Sequence, residues 1–188
     1  MPPADAAPDA VTLHRATCDD LDLRTFYALL RLRVDVFVVE QQCPYPELDG
    51  HDTEAGTEHW WVEGGSAAAD VLATLRVLSV SERPRIGRVA TAPTARGHGY
   101  AGMLMRAALE GLDEQQGAHD VTLEAQAHLQ RWYAQFGFEP TGLEYVEDGI
   151  PHVSMVRASR LRGHQDQGGG GGQDDEGDGQ LGSHDHGQ

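Results

Sequence analysis

Lysine is missing from this chain of 188 residues, and its fourteen arginines face thirty acidic side chains, giving a net charge of −16. That balance excludes a broad basic footprint for nucleic acid. An acidic surface suits a cationic substrate such as an amine. Cysteine is scarce as well: Cys18 and Cys43 make no disulfide framework and neither has a neighbour at metal-ligand spacing, so two free thiols are expected. No hydrophobic run reaches the length of a membrane span, and Met1-Pro2-Pro3-Ala4-Asp5-Ala6 has neither the basic nor the apolar part of a secretory signal. The expectation from these absences is a cytoplasmic chain without a membrane or nucleic-acid partner, as a monomer or homodimer.

What is present fits one domain. Residues 1–10 are rich in Pro, Ala and Asp, and residues 159–188 are Gly, Gln, Asp and His with almost no apolar side chain. Both are expected to be disordered flanks of a domain spanning 11–158. Within that domain the patterning predicts a strand over 11–16, then a helix capped by Asp19 and Asp20. Leu23, Phe26, Tyr27, Leu30 and Val34 recur at helical spacing, with Phe26, Leu30 and Val34 as the core stripe. The helix is expected to end near Gln42, because Cys43-Pro44-Tyr45-Pro46 forbids its continuation. A long polar loop follows, with Asp49, His51, Asp52 and Glu54, expected to be solvated rather than metal-binding. Strands over 59–63 and 71–80 read as an antiparallel hairpin, with Trp60-Trp61 dividing between core and acceptor cleft. A short strand over 86–90, a helix to about Gln116 and a strand over 121–124 form one βαβ unit. A short helix over 128–136 ends at Gly137, and 138–145 with 152–156 make a last strand pair.

The richest local signal is Arg96-Gly97-His98-Gly99-Tyr100-Ala101-Gly102, a glycine turn between that strand and helix. Free N–H groups in the first turn of such a helix, aligned with the peptide dipoles, bind phosphate. The ATP-binding G-x-x-x-x-G-K-[ST] loop fails for want of lysine. The dinucleotide pattern G-x-G-x-x-G is met literally by Gly97, Gly99 and Gly102, with Glu124 about 22 residues on, near the expected spacing. It is disfavoured by the single βαβ unit and the antiparallel hairpins around it.

A third reading comes from resemblance. Arg96-x-x-Gly99-x-Ala101 resembles the R/Q-x-x-G-x-G/A motif of the GNAT superfamily of acetyltransferases. Gln126, Tyr133 seven residues on and Gly137-Phe138 resemble a second GNAT pattern, with Gln where Asn is more common. The runs Phe37-Val38-Val39-Glu40-Gln41, Ile86-Gly87-Arg88-Val89, Ala125-Gln126-Ala127-His128-Leu129-Gln130 and Asp148-Gly149-Ile150-Pro151-His152 resemble the ElaA-like branch of that superfamily. The resemblance implies an α/β GNAT fold: a mixed, mostly antiparallel sheet flanked by helices around one central βαβ unit. It implies acetyl-CoA as co-substrate, no metal, and a primary amine of a small molecule or protein as acceptor. Val89, Ala90 and Thr91 are then expected to pair with pantetheine. Arg96, Gly97, His98, Gly99, Tyr100, Ala101 and Gly102 would hold the pyrophosphate, and Gln126 would also touch the cofactor.

Acyl transfer to an amine needs a deprotonated nitrogen, an N–H for the oxyanion and a proton for the departing thiolate. By resemblance Tyr133 is the general acid; a purely packing role beside Trp132 is the plainer alternative. Many GNAT enzymes carry a Glu on the strand before the phosphate turn, but Gly87 stands there. The base is therefore open among Glu124, His59, His152, Glu40, Asp49 and Asp52, or a water chain joining several of them. Glu124 and His59 are the catalytic candidates, and Glu40, Asp49 and His152 the candidates for holding substrate. A non-catalytic acyl-CoA-binding module remains an alternative.

Overall fold

The computed structural model describes residues 11–64, 70–79, 83–116 and 119–159. The expectations about the two ends, including the weak metal potential of His184-Asp185-His186, lie outside the described residues. The one exception is Ser159, which is buried and donates its N–H to Asp120 Oδ1 at 3.1 Å, so the ordered domain includes it.

Eight strands form one sheet: β1 (Thr12–Thr17), β2 (Glu58–Glu63), β3 (Val71–Leu78), β4 (Arg85–Thr91), β5 (Val121–Gln126), β6 (Glu139–Pro140), β7 (Tyr145–Glu147) and β8 (Ile150–Arg157). The spatial order is β1-β2-β3-β4-β5-β8-β6, with β7 also on β8. All pairings are antiparallel except β4 with β5, which α2 (Tyr100–Gln116) connects as the expected βαβ unit. Strand β8 inserts between β5 and the short β6 and β7, so the last strand pair of the sequence reading is a three-part meander.

Alternation along β2 divides the core. Trp60 and Val62 face α2, where Leu104, Met105, Ala108, Leu109 and Leu112 recur at helical spacing, while Trp61 faces α1 (Leu23–Val34). Both tryptophans are buried, so neither serves the cleft as expected. Helix α1 is capped by Asp22, which accepts from the N–H groups of Arg24 (2.9 Å) and Thr25 (3.1 Å). Asp19 and Asp20 instead sit in a 3-10 turn. The buried face of α1 comprises Thr25, Ala28, Leu29, Leu32 and Arg33, a stripe one step removed from Phe26, Leu30 and Val34, and Leu23 and Tyr27 are exposed. A charged residue, Arg33, occupies a position that hydropathy assigns to solvent.

After Val34 the helix widens into a π-helical segment, Asp35–Glu40, and then breaks at Gln42 with φ +53°. Such segments are uncommon and re-aim side chains within a helix. No described helix is long and apolar enough to cross a membrane.

Candidate active site

Strands β4 and β5 register at only one pair, Arg85 with Thr122, reinforced by Thr122 N–H donating to the Pro84 carbonyl at 3.0 Å. Beyond that point they separate towards their C-terminal ends. Ligands in α/β sheets bind at such an opening. A β-bulge sharpens it: Thr74 pairs with Ala90 and Arg76 with Gly87, so β4 has one extra residue there, and Arg88 adopts φ +54°. The result is a cleft of about 590 Å³.

The walls come from four places. Strand β4 gives Ile86 through Thr91, and β5 gives Glu124 and Gln126. The π-helical segment and the chain after it give Phe37, Glu40, Gln41, Cys43 and Tyr45. The helix α3 (Gln130–Ala134) supplies Trp132 and Tyr133, and the β7–β8 turn supplies Glu147, Asp148, Ile150 and His152. At one mouth lies the glycine turn. Gly97 and Gly99 have φ of +81° and +80°, and a Cβ built on either would meet nothing within 4 Å. The glycines are thus required by backbone conformation, and they leave the turn uncovered. Met103 N–H makes the first helical bond to Gly99 at 3.0 Å, which leaves the N–H groups of Tyr100, Ala101 and Gly102 without intrahelical acceptors. That cradle fits a pyrophosphate.

Of the residues expected to serve the site, Val89, Ala90, Thr91, Arg96, Ala101, Gln126, Tyr133, Glu124, Glu40 and His152 line the cleft. Gly97, His98, Gly99, Tyr100 and Gly102 form the turn and helix start at its edge. Arg96 is held by Glu40 in a two-point pair at 2.8 and 2.6 Å. Gln126 donates to Gln41 Oε1 at 3.1 Å. These two contacts tie the π-helical segment and its C-cap Gln41 to both sides of the opening.

Tyr133 is 7 % exposed, packed edge-on against Trp132 and Phe138, and its hydroxyl has no hydrogen-bond partner among the described residues. Burial pushes it up to about 12, so it is a neutral phenol at physiological pH. Glu124 accepts from the Tyr145 hydroxyl at 2.6 Å and from Ser154 Oγ at 2.7 Å. Burial raises Tyr145 to about 12, and its bond to Glu124 adds to the effect. His152 Nδ1 lies 2.9 Å from the Ile150 carbonyl, and its ring stacks on Tyr145.

His59 and Asp49 do not join this group. His59 is 1 % exposed on the α1 side, with Nε2 3.0 Å from the Asp52 carbonyl and its ring edge-on to Phe26. Burial, the dominant cause, lowers its pKa below the ordinary histidine value, which keeps it neutral. It is a structural histidine. The polar loop is solvated only in part: the His51 and Glu54 side chains are exposed and pair with each other, whereas Asp49 and Asp52 turn inward. Arg33 binds Glu47 Oε1 and Asp52 Oδ1, both at 2.5 Å, and Arg76 binds Asp52 at 2.8 Å and Asp49 at 2.7 Å. Arg88 reaches Glu47 and Asp49, each at 2.9 Å, and lies over the Tyr45 ring. Burial pushes the Asp49 and Asp52 carboxyls up, but the arginines outweigh it and hold both below the ordinary carboxylate range. Among the described residues no cluster of His, Cys, Asp and Glu is arranged for a metal ion. The network instead anchors the segment carrying Cys43 and Tyr45 against the bulge of β4.

Cleft residues absent from the sequence expectation include Gln41, Cys43, Tyr45, Glu147 and Asp148. Glu147-Asp148 had a usable signal, since a turn ahead of a strand beside the site delivers its side chains there.

Residues 54–159 match the acetyltransferase (GNAT) domain family. A UPF0039 protein of Mycobacterium tuberculosis is 47 % identical over 149 residues, which are 77 % of this chain and 92 % of that protein. The protein ElaA of Escherichia coli is 40 % identical over 73 % of this chain and 90 % of its own length. Among solved structures, an acyl-CoA N-acyltransferase from Pseudomonas aeruginosa superposes with TM-score 0.73 at 40 % identity, covering 79 % of this chain and all of that one. E. coli ElaA superposes with TM-score 0.73 at 36 % identity, over 79 % of this chain and 99 % of ElaA. A CoA-dependent acyl-homoserine lactone synthase, BjaI, shares the fold with TM-score 0.64 at 17 % identity, over 81 % of this chain and 85 % of that one. With its split parallel pair, its glycine cradle and these relatives, the chain belongs to the GNAT acyltransferase family, in the ElaA-like branch.

Proposed function

We propose that the chain is an N-acetyltransferase that moves an acetyl group from acetyl-CoA to a primary amine of a small molecule or protein. The observation that carries this reading is that a neutral, unpartnered Tyr133 and a doubly hydrogen-bonded Glu124 line the same cleft at the β4–β5 opening. Acetyl-CoA supplies a thioester carbonyl open to attack and a thiolate that leaves. The turn amides of Tyr100, Ala101 and Gly102 hold the pyrophosphate, and the free edge of β4 at Val89–Thr91 orients the pantetheine arm and offers an N–H to the oxyanion.

Glu124 takes the proton that frees the nitrogen, either directly or through one water. As the C–N bond forms and the C–S bond breaks, Tyr133 gives its proton to sulfur. The second proton lost by nitrogen returns through water to Tyr133, so the net products are the amide, the CoA thiol and one proton. Tyr145 and Ser154 keep the Glu124 carboxylate facing the acceptor.

Tyr133→Phe tests the assignment. Loss of a positioned acid lowers kcat by roughly 10²- to 10⁴-fold. Thiol release measures that fall, and calorimetric titration with CoA is expected to give an unchanged Kd. Full turnover by the variant would show that Tyr133 is a packing residue. The absence of a carboxylate at Gly87 favours one second reading, a module that binds acyl-CoA without transfer. Binding of acetyl-CoA without thiol release across an amine library would establish it.

A further inference from the structure

We infer that the acceptor half of the cleft is built for an amine carrying a second positive charge, an unbranched aliphatic diamine or oligoamine; this deepens, and rests on, the acyl-transfer reading above. The charges lining the cleft do not cancel. Its cations are Arg88 and Arg96, and its carboxylates are Glu40, Glu124, Glu147 and Asp148. Arg96 is neutralised by Glu40, and Arg88 by Glu47 and Asp49 from behind the wall. Glu124, Glu147 and Asp148 are left facing the cleft with no cationic partner among the described residues. A single ammonium, which must lose its charge to react, leaves this surplus uncompensated.

The cluster does not stand alone. Tyr133, whose side chain is 7 % exposed and whose hydroxyl lacks a partner among the described residues, lines the same cleft, so the carboxylates share it with a polar group that waits for a ligand. The strand register then orders the charges. On β8, Ser154 pairs with Glu124 of β5, His152 with Gln126 and Tyr145, and Ile150 with Glu147 of β7. Residues 150, 152 and 154 share one face of the strand. Glu124 and Glu147 therefore stand about 13 Å apart along β8, four residues at roughly 3.3 Å each, and on its opposite flanks, each one strand spacing of about 4.8 Å to the side, so that about 16 Å separates their backbone positions, with Asp148 next to Glu147. Ile150 and His152 line the cleft between them, a partly apolar stretch suited to methylene groups. One ammonium sits at Glu124, where its proton is removed, and the other stays charged between Glu147 and Asp148.

The test uses the full chain and two series of acceptors, the α,ω-diamines of butane, hexane and octane and the n-alkylamines of the same lengths, with thiol release from acetyl-CoA as readout. The best diamine is expected to exceed its matched monoamine about tenfold or more in kcat/KM, since a charge-assisted contact is worth at least that factor. Added salt is expected to narrow the difference. The double variant Glu147→Gln/Asp148→Asn is expected to bring the ratio towards one. Asn accepts the left-handed conformation that Asp148 adopts at φ +50°, so the turn survives, and an unchanged Tm checks this.

A wild-type ratio near one, or a ratio that the double variant retains, overturns the inference while amine acetylation stands. So does acetylation of a lysine-bearing peptide with no diamine accepted. Calorimetric titration separates the deeper failure: a chain that does not bind acetyl-CoA, or binds it and releases no thiol with any amine, loses the proposed function and this acceptor site together.

Discussion

Replacing Arg33 with methionine is expected to cost stability far out of proportion to its place in an otherwise ordinary helix. Arg33 is 1 % exposed and spends its guanidinium on two acidic residues: Nε on Glu47 (2.5 Å), Nη1 and Nη2 on the two Asp52 oxygens (2.5 and 3.1 Å), and Nη2 also on the Glu47 carbonyl (3.3 Å). Methionine fills most of the volume but leaves both carboxylates short of a cation. Breaking a buried pair from one side costs about 3–5 kcal/mol. Glu47 still has Arg88 and Tyr45, and Asp52 still has Arg76, so the lower end applies, about 3 kcal/mol. For a domain of this size that is a fall in Tm of about 6–12 °C. Urea unfolding of the full chain gives the free energy, and an unchanged m-value confirms that the same transition is compared. Asp52→Asn in the Arg33→Met background is expected to cost less than in the wild type, because the charge it removes has already lost one of its two arginine partners. A loss below about 1 kcal/mol, or strict additivity of the two changes, would refute the claim that Arg33 is the keystone of this network.

Gly99→Ala is expected to destabilise the fold by about 1 kcal/mol through its φ of +80° alone, since its Cβ meets nothing, and to weaken CoA binding more than that, measured by calorimetry beside thermal melts. Equal CoA affinity would mean the turn does not approach the pyrophosphate. His59 makes stability pH-dependent. Burial depresses its folded pKa, so the unfolded chain gains a proton near pH 6.5 that the folded chain refuses. Its contribution is whole above that pH and is lost as the pH falls towards the lower folded value. His59→Gln is expected to flatten the stability curve below pH 6.5, and an unaltered slope in urea titrations would contradict the assignment.

Much of the architecture was legible because it rests on short-range rules. Alternation marked β1, the glycine turn marked the start of α2, and Gly137 with φ +85° closes the segment after α3. The helical stripe of α1 was misplaced by one step because Arg33 hides in a face that hydropathy reads as wet. Of the candidate bases, Glu124, Glu40 and His152 line the cleft, whereas His59, three strands away from Glu124 in the sheet, could not be told apart from them by residue type. Whether a histidine on a strand faces a cleft or a helix depends on what packs above it.

By itself, the sequence determined the βαβ unit, the glycine turn and the family, since each is written in short runs of neighbouring residues. Glycine conformation, helix capping and period are local properties, and proximity in sequence is enough to express them. Only the tertiary structure decided where charge resides. It drew Arg33, Arg76 and Arg88 from three elements onto one acidic loop, paired Arg96 with Glu40 across 56 positions, and carried Glu147 and Asp148 round to the cleft that Glu124 lines. Coulomb interactions act through space and strengthen with burial. The charges left unpaired, which give the cleft its proposed taste for a dication, emerge only once the other pairs have formed.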